Sequence, residues 1–512
     1  MVKFCARAHG NSNHQARSSR LLSSPAACGA APLASIGAAR SVTLLVTLSV
    51  TLLAGCSLAP QFVRPTAPVA EAFPDVSANV QSDALRAIDT GWRDFFPDPR
   101  LQALIEAALA NNRDLKSAAL RIEEARALYN IQSADLLPNV NLGAGASRAR
   151  TLSASGNGQA FVSTNYQVGL SLASFELDFF GRVRSLNDAA LAQFLATGEA
   201  RQSVQISLIA SVAQAYLTER GFAEQLALAQ STSEGRQKAF DLAKQRFDVG
   251  ASSALDLRLA ETLMLSSRVT ASSLARQRAQ AQNALTLLVG QSPAALPPTQ
   301  SLSSEKIITG IPAGLPSDLL TNRPDIRAAE QRLRAANANI GAARAAFFPR
   351  ISLTAGLGTA SNALSGLFDA GSRTWSFGPQ LLLPIFDAGR NQANLSLAQV
   401  RTNLAVADYE KTIQAAFREV ADALVARGTL EEQVVAQQAF LDATADRLRL
   451  ADLRYQNGVS SSLDVLDAQR ELFNAQQALV QVRLQRLTNA IDLYRSLGGG
   501  IREQSAPVAS NR

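Results

Sequence analysis

The side chains able to do acid–base, redox or metal chemistry are spread very unevenly along this 512-residue chain. Its cysteines are Cys5, Cys28 and Cys56, and its histidines are His9 and His14, so all five fall within the first 56 residues. From residue 57 onward there is neither a thiol nor an imidazole. This excludes a disulfide, a Cys/His zinc site and histidine-based proton transfer from the bulk of the chain. Carboxylates and arginines remain. No phosphate-cradling loop, redox group or nucleophile–base pair accompanies them, and the Asp and Glu pairs on the helical stretches read as surface charge. The composition argues against an enzyme.

Cys56 has a different prospect. Arg40 precedes an apolar run, and small residues follow before a break, which is the layout of a secretory signal peptide over residues 1–55. The run is shorter than the roughly 20 residues a bilayer-spanning helix needs. Its ending, Leu53-Ala54-Gly55-Cys56, resembles the bacterial lipobox. That resemblance implies S-diacylglycerol and N-palmitoyl groups on Cys56, and several acyl chains anchor stably where one holds only marginally. Ser57, standing where an Asp would retain the protein at the inner membrane, implies sorting to the outer one. Residues 56–98, with Pro60, Pro65, Pro68 and Pro74, are expected to form an extended tether. Five of the seven net positive charges lie in residues 1–55, leaving +2 for the rest. Nucleic acid is therefore excluded as a partner on electrostatic grounds.

The remainder is written twice, at a period of about 210 residues. Leu137-Pro138 recurs as Phe348-Pro349, Gly181-Arg182 as Gly389-Arg390, and Asn283-Ala284 as Asn489-Ala490. The clearest copy pairs Arg246-Phe247-Asp248-Val249-Gly250 through Leu255-Asp256 with Arg454-Tyr455-Gln456-Asn457-Gly458 through Leu463-Asp464. Two repeats are expected, at 99–297 and 298–500, with a disordered tail at 501–512. Each opens with a helical stretch, about 99–136 and 315–347, and closes with a long helical tract in two halves. Those halves are 182–248 with 252–290, and 390–456 with 460–497. No proline interrupts residues 139–292 or 385–506, as long helices require. A 67-residue helix would run about 100 Å.

Between the helices lie alternating segments. Val140, Leu142, Ala144 and Ala146 alternate with small or polar residues, as do Val168, Leu170 and Leu172. Ile351, Leu353, Ala355 and Leu357 repeat the pattern, and so do Trp375, Phe377, Pro379, Leu381 and Leu383. Such period-two segments mark transmembrane barrel strands, with Tyr166 and Trp375 near strand ends at the membrane interface. Pro379 fits only at a bulge or an edge. Four strands cannot close a barrel, and open edges are not tolerated in lipid, so several chains must pool their strands; three chains give twelve.

Together the lipobox, the duplicated strand–strand–long-helix layout and the run Arg454 to Gln469 resemble the TolC family, in particular its lipidated NodT/OprM-type members. The resemblance covers about residues 56–500. It implies a mixed α/β membrane channel: a homotrimer with four transmembrane strands per chain in a twelve-stranded barrel, above a long periplasmic helical barrel. It implies an outer-membrane exit duct for drugs and small toxic compounds, working with a periplasmic adaptor and an inner-membrane pump of RND type. The adaptor-contact tips would be Val249, Gly250 and Ser252, and Asn457, Gly458 and Ser460. Asp464 and Asp467 would line the pore gate, and Tyr455 would tether it, although Ser460 stands where TolC itself carries an arginine for that link. The first repeat keeps Asp256 but has Leu259 in place of Asp467. Two other readings remain open: a duct for type I protein secretion, and a non-channel periplasmic coiled-coil lipoprotein.

Overall fold

The computed structural model describes residues 57–73, 86–152, 160–292, 296–298, 301–304, 306–312, 314 and 316–505. The signal segment and Cys56 lie outside the described residues. In chain order the elements are α1 (Trp92–Phe95), α2 (Pro99–Asn111), α3 (Arg113–Ala134), β1 (Val140–Leu152), β2 (Ala160–Leu177), α4 (Arg182–Asp248) and α5 (Ala254–Val289). There follow α6 (Pro316–Asn322), α7 (Pro324–Ala345), β3 (Arg350–Ser361), β4 (Arg373–Leu382), α8 (Arg390–Gln456) and α9 (Ser462–Ser496). From α2 onward the second set repeats the order of the first.

The two stretches expected as single helices are each broken near the start. Asn112 ends α2 and caps α3, its Oδ1 accepting from Leu115 N at 2.9 Å. In the second repeat Pro324, which lacks an N–H, starts α7 afresh after Arg323. The long helices α4 and α8 each span 67 residues. Both begin after a left-handed glycine, Gly181 (φ 71°) or Gly389 (φ 83°). A loop aspartate reaches over each start: Asp178 Oδ2 accepts from Arg184 N, and Asp387 Oδ2 from Asn391 N, both at 2.8 Å. Negative charge there also suits the helix dipole.

The strands form one antiparallel sheet in the order β1-β2-β3-β4. Its register gathers the alternating residues onto a single face. Ala144 pairs with Val168, Leu142 with Leu170, Leu170 with Leu357, Leu357 with Trp375, and Ala355 with Phe377. Residues directly opposite share a face, so toward the helices this side is apolar, with Arg148, Arg150 and Arg373 at its far ends, and the other side carries mainly Asn, Ser, Thr, Gln and Gly. Between Leu172 and Phe175 a bulge shifts the register, with Ser174 at φ 51°. It keeps Phe175 and Leu177 on the apolar side, opposite Leu353 and Ile351. Pro379 lies in β4, an edge strand of the chain's sheet, where a missing N–H is tolerated. Trp375 is third in β4 and 80% exposed. Tyr166, by contrast, pairs with Ala146 and Ser361 well inside β2, so it is not at a strand end as expected.

The main core lies where both repeats' long helices meet α1 and α2. Phe95 stacks on Tyr494 with centroids 4.0 Å apart, and Phe96 meets Phe95 edge-on at 4.6 Å. The Tyr494 hydroxyl donates to Thr90 O at 2.7 Å, and that of Tyr216 to Asp98 Oδ2 at 2.6 Å. Burial raises the Tyr494 hydroxyl well above the usual phenol range, so it stays a donor. Truncating an aromatic so enclosed costs about 3–5 kcal/mol.

Two expectations are corrected at the ends of the chain. The tether is no free linker. Residues 57–73 contain no helix or strand but lie along α7 as a strap, with Asn337 Nδ2 donating to Pro60 O (2.8 Å) and Arg344 Nη1 to Leu58 O (3.2 Å). Arg64 pairs with the buried Glu330 at 2.8 Å. Burial alone would raise Glu330, but hydrogen bonds from Arg334 and Arg64 outweigh it and hold the carboxyl below its usual range. Further along, Trp92, Phe95 and Phe96 belong to the core. The tail, expected to be disordered from 501, is placed as far as Ser505. Trp92 N donates to Arg502 O at 3.0 Å, Arg93 N donates to Glu503 O at 3.2 Å, and Ser505 N donates to Asp94 Oδ2 at 2.8 Å. These backbone pairings satisfy the start of α1, which polar composition alone does not reveal.

Candidate functional site

The duplicated run forms the turns at which α4 passes to α5 and α8 to α9, and the two turns share one backbone device. Gly250 (φ 76°) donates to Phe247 O at 2.9 Å and Ala251 to Arg246 O at 2.7 Å. Gly458 (φ 71°) donates to Tyr455 O and Val459 to Arg454 O, both at 2.9 Å. This is the Schellman arrangement, in which a left-handed residue ends a helix and satisfies its last carbonyls. A Cβ at either glycine would meet nothing within 4 Å, so backbone conformation alone requires glycine. Both turns expose apolar side chains: Val249 (79%) and Leu255 on the first, Val459 (67%) and Leu463 on the second.

Side chains then divide the tips. On the first, Ser252 Oγ makes a long contact to Ala243 O, 3.5 Å. Ser253 and Asp256 form a capping box, and Ser462 from the other tip donates to Asp256 Oδ1 at 3.3 Å. Hydrogen bonds from the Ser253 side chain and backbone hold the Asp256 carboxyl below its usual range. On the second tip Asn457 Nδ2 donates to Leu453 O at 2.7 Å, while Ser461 at the start of α9 makes no side-chain cap. Ser460 Oγ is shielded from solvent and has no partner among the described residues.

Tyr455 does find a partner. Arg246 Nη1 donates to its hydroxyl at 2.9 Å, tying α4 to α8 across a cleft of about 380 Å³. Arg246 was missed from sequence because its own repeat mate, Arg454, gives no hint that one copy reaches across and the other does not. Asp467 is also partnered. Arg447 Nη2 lies 2.9 Å and Arg470 Nη2 2.5 Å from its two oxygens, and Arg447 also pairs with Glu471. Asp464, in the first turn of α9, is exposed and its carboxylate has no ion pair among the described residues. The two aspartates therefore share a face but not an environment. The spacing of Asp467 and Arg470 is a local signal, whereas Arg447 comes from the opposite arm of the hairpin and leaves none.

A sheet with one apolar face, carried on two long helical hairpins, is the architecture of an outer-membrane channel and not of a coiled-coil scaffold. The family model for the outer membrane efflux protein matches residues 104–291 and 315–499, and the chain belongs to that family. It is 48% identical to outer membrane protein OprJ of Pseudomonas aeruginosa over 459 residues, covering 89% of this chain and 95% of that one. To the toluene efflux pump outer membrane protein TtgC of Pseudomonas putida it is 47% identical over 467 residues, 90% of this chain and 96% of that one. Among solved structures, the open state of the MtrE outer membrane channel of Neisseria gonorrhoeae superposes with a TM-score of 0.81 at 42% identity, covering 88% of this chain and all of that one. The chain is thus an efflux channel protein of the outer membrane that extends into the periplasm. Among the described residues no helix is long and apolar enough to cross a membrane.

Proposed function

We propose that three copies of the chain assemble into a passive exit duct, each lending four strands to a twelve-stranded barrel. The observation that carries this is the sheet itself: β1 and β4 are both edges, and the apolar face between them is exposed. In lipid an unpaired edge strands a row of N–H and C=O groups, so each β4 must find the β1 of a neighbour. Stripes of exposed apolar residues on α3 (Leu120, Leu128, Ile131) and α8 (Leu397, Val400, Leu404) offer further subunit contacts below the barrel.

The duct does no chemistry and holds no cofactor. Its cargo is expelled by an inner-membrane pump of RND type, through a periplasmic adaptor seated on the exposed turns at Val249–Ser252 and Asn457–Ser460. Asp464 and Asp467 line the gate. Drugs and small toxic compounds are the cargo, a reading supported by relatives named for toluene and antibiotic efflux. S-diacylglycerol and N-palmitoyl groups on Cys56 add a second anchor.

Detergent-extracted protein is expected to sediment as a trimer and to conduct in planar bilayers, while deleting the gene lowers resistance to hydrophobic drugs. A monomer that still inserts and conducts would overturn the shared barrel. Labelled palmitate is expected to enter the wild type and not Cys56→Ser; an unlabelled wild type would remove the lipid anchor from this account.

A further inference from the structure

The apolar face of the sheet ends in arginines. Along β1 the facing positions run Val140, Leu142, Ala144, Ala146 and then Arg148 and Arg150; along β4 Arg373 stands one facing position beyond Trp375. The pairings Arg148↔Thr164, Arg150↔Val162 and Thr359↔Arg373 keep all three on the apolar side, at the ends of the strands away from the helices. All three are exposed and make no ion pair among the described residues. The strands' fourth arginine, Arg350 at the helix-side end, is different, for it pairs with Glu176 at 3.2 Å. The loop after β1 contains no acidic residue, and the loop after β3 contains only Asp369. The Thr359 hydroxyl, beside Arg373, is shielded and also unpartnered.

Resting on the barrel reading, we infer that Arg148, Arg150 and Arg373 form a girdle that binds the phosphate groups of lipids in the outward-facing monolayer. An arginine on the lipid face is costly at the bilayer midplane and nearly neutral near the interface, so each of the three marks the outer end of the apolar band on its own strand. Trp375 next to Arg373 suits the same depth. Arginine forks match phosphate geometry, and Asp369, the one acidic residue of the two loops, makes no ion pair with these arginines among the described residues. A lipid is favoured over a free anion because the arginines adjoin the apolar face: Ala146 and Ala144 follow Arg148 toward the helices, and Trp375 and Phe377 follow Arg373. Phosphate meets the guanidinium groups while acyl chains lie against the apolar positions below. With three subunits the rim carries nine such arginines.

The two tryptophans make the test direct, because Trp375 lies at the rim and Trp92 is buried in the core. Full-length protein in phosphatidylcholine vesicles is titrated with lipid A bearing two phosphates, with tryptophan emission as the readout. The expected result is saturable binding that weakens roughly fivefold per arginine lost, about a hundredfold for Arg148→Gln, Arg150→Gln and Arg373→Gln together. Lysine at the three positions is expected to keep most of the affinity, which separates charge loss from misfolding. Equal affinity of the glutamine variant, equal binding of dephosphorylated lipid A, or the same response to inorganic phosphate overturns the inference. Bilayer conductance of the wild type is measured alongside. A wild type that inserts but ignores the phosphates sinks this inference alone, and one that fails to insert sinks the barrel reading with it.

Discussion

The two helix tips have the same backbone and different chemistry. Each ends its long helix with a left-handed glycine and the same pair of hydrogen bonds. Yet the first spends its acidic residue, Asp256, on a capping box, whereas its repeat mate Asp464 points free of any ion pair among the described residues. The first has Phe247 where the second has Tyr455, and Leu259 where the second has the arginine-bound Asp467. After duplication the turn geometry persisted because glycine and helix ends dictate it. Side chains on the exposed face were free to diverge, leaving one tip built to hold its helix start and the other built to present charge.

That contrast is open to attack at several points. The largest effect is expected from the shared element: Gly250→Val and Gly458→Val should each cost about 1–2 kcal/mol in local opening, because both force a β-branched residue left-handed. Hydrogen exchange of the turn amides measures this, and a clear inequality between the two would mean the turns are not equivalent.

Next in size is selectivity. Asp464→Asn with Asp467→Asn is expected to lower the cation/anion permeability ratio several-fold in single-channel recordings, with Asp256→Asn leaving it unchanged. Asp464→Asn alone should give most of the change, since Asp467 is already countered by Arg447 and Arg470. If the Asp467 change dominates instead, those pairs do not hold in the assembled channel.

Tyr455→Phe converts the second tip toward the first and removes the acceptor for Arg246. The bond is exposed, so the loss should be about 0.5 kcal/mol, appearing as longer open times. Arg246→Gln should do the same; opposite signs would show that the pair does not act as one tie.

The smallest effect is in acid. The Asp256 carboxyl is held below its usual range by Ser253, so its contribution is fully present above the unfolded value of about 3.9 and is lost as pH falls through the lower folded value. In that window the start of α5 should fray more than that of α9, which lacks a side-chain cap and meets Asp256 through the long bond from Ser462. Amide exchange at Leu257 against Val465 reads the difference.

Sequence alone determined the duplication, the limits of α4 and α8, the strand faces and the glycine turns. Each of these rests on local periodicity or on the φ preference of single residues, and both are written in neighbouring positions. It also placed Asp464 and Asp467 on one face. Tertiary structure decided what those residues meet. Arg447 reaches Asp467 from 20 positions away and Arg246 reaches Tyr455 from 209. The strap bonds α7 across more than 260 positions, and the tail returns to α1 across more than 400. Such pairings depend on where distant helices cross, and neither periodicity nor composition carries that distance. The arginine rim shows the same division: alternation along β1 and β4 already puts Arg148, Arg150 and Arg373 on the apolar side of their strands, but only the pairing through β2 and β3 joins those sides into one face.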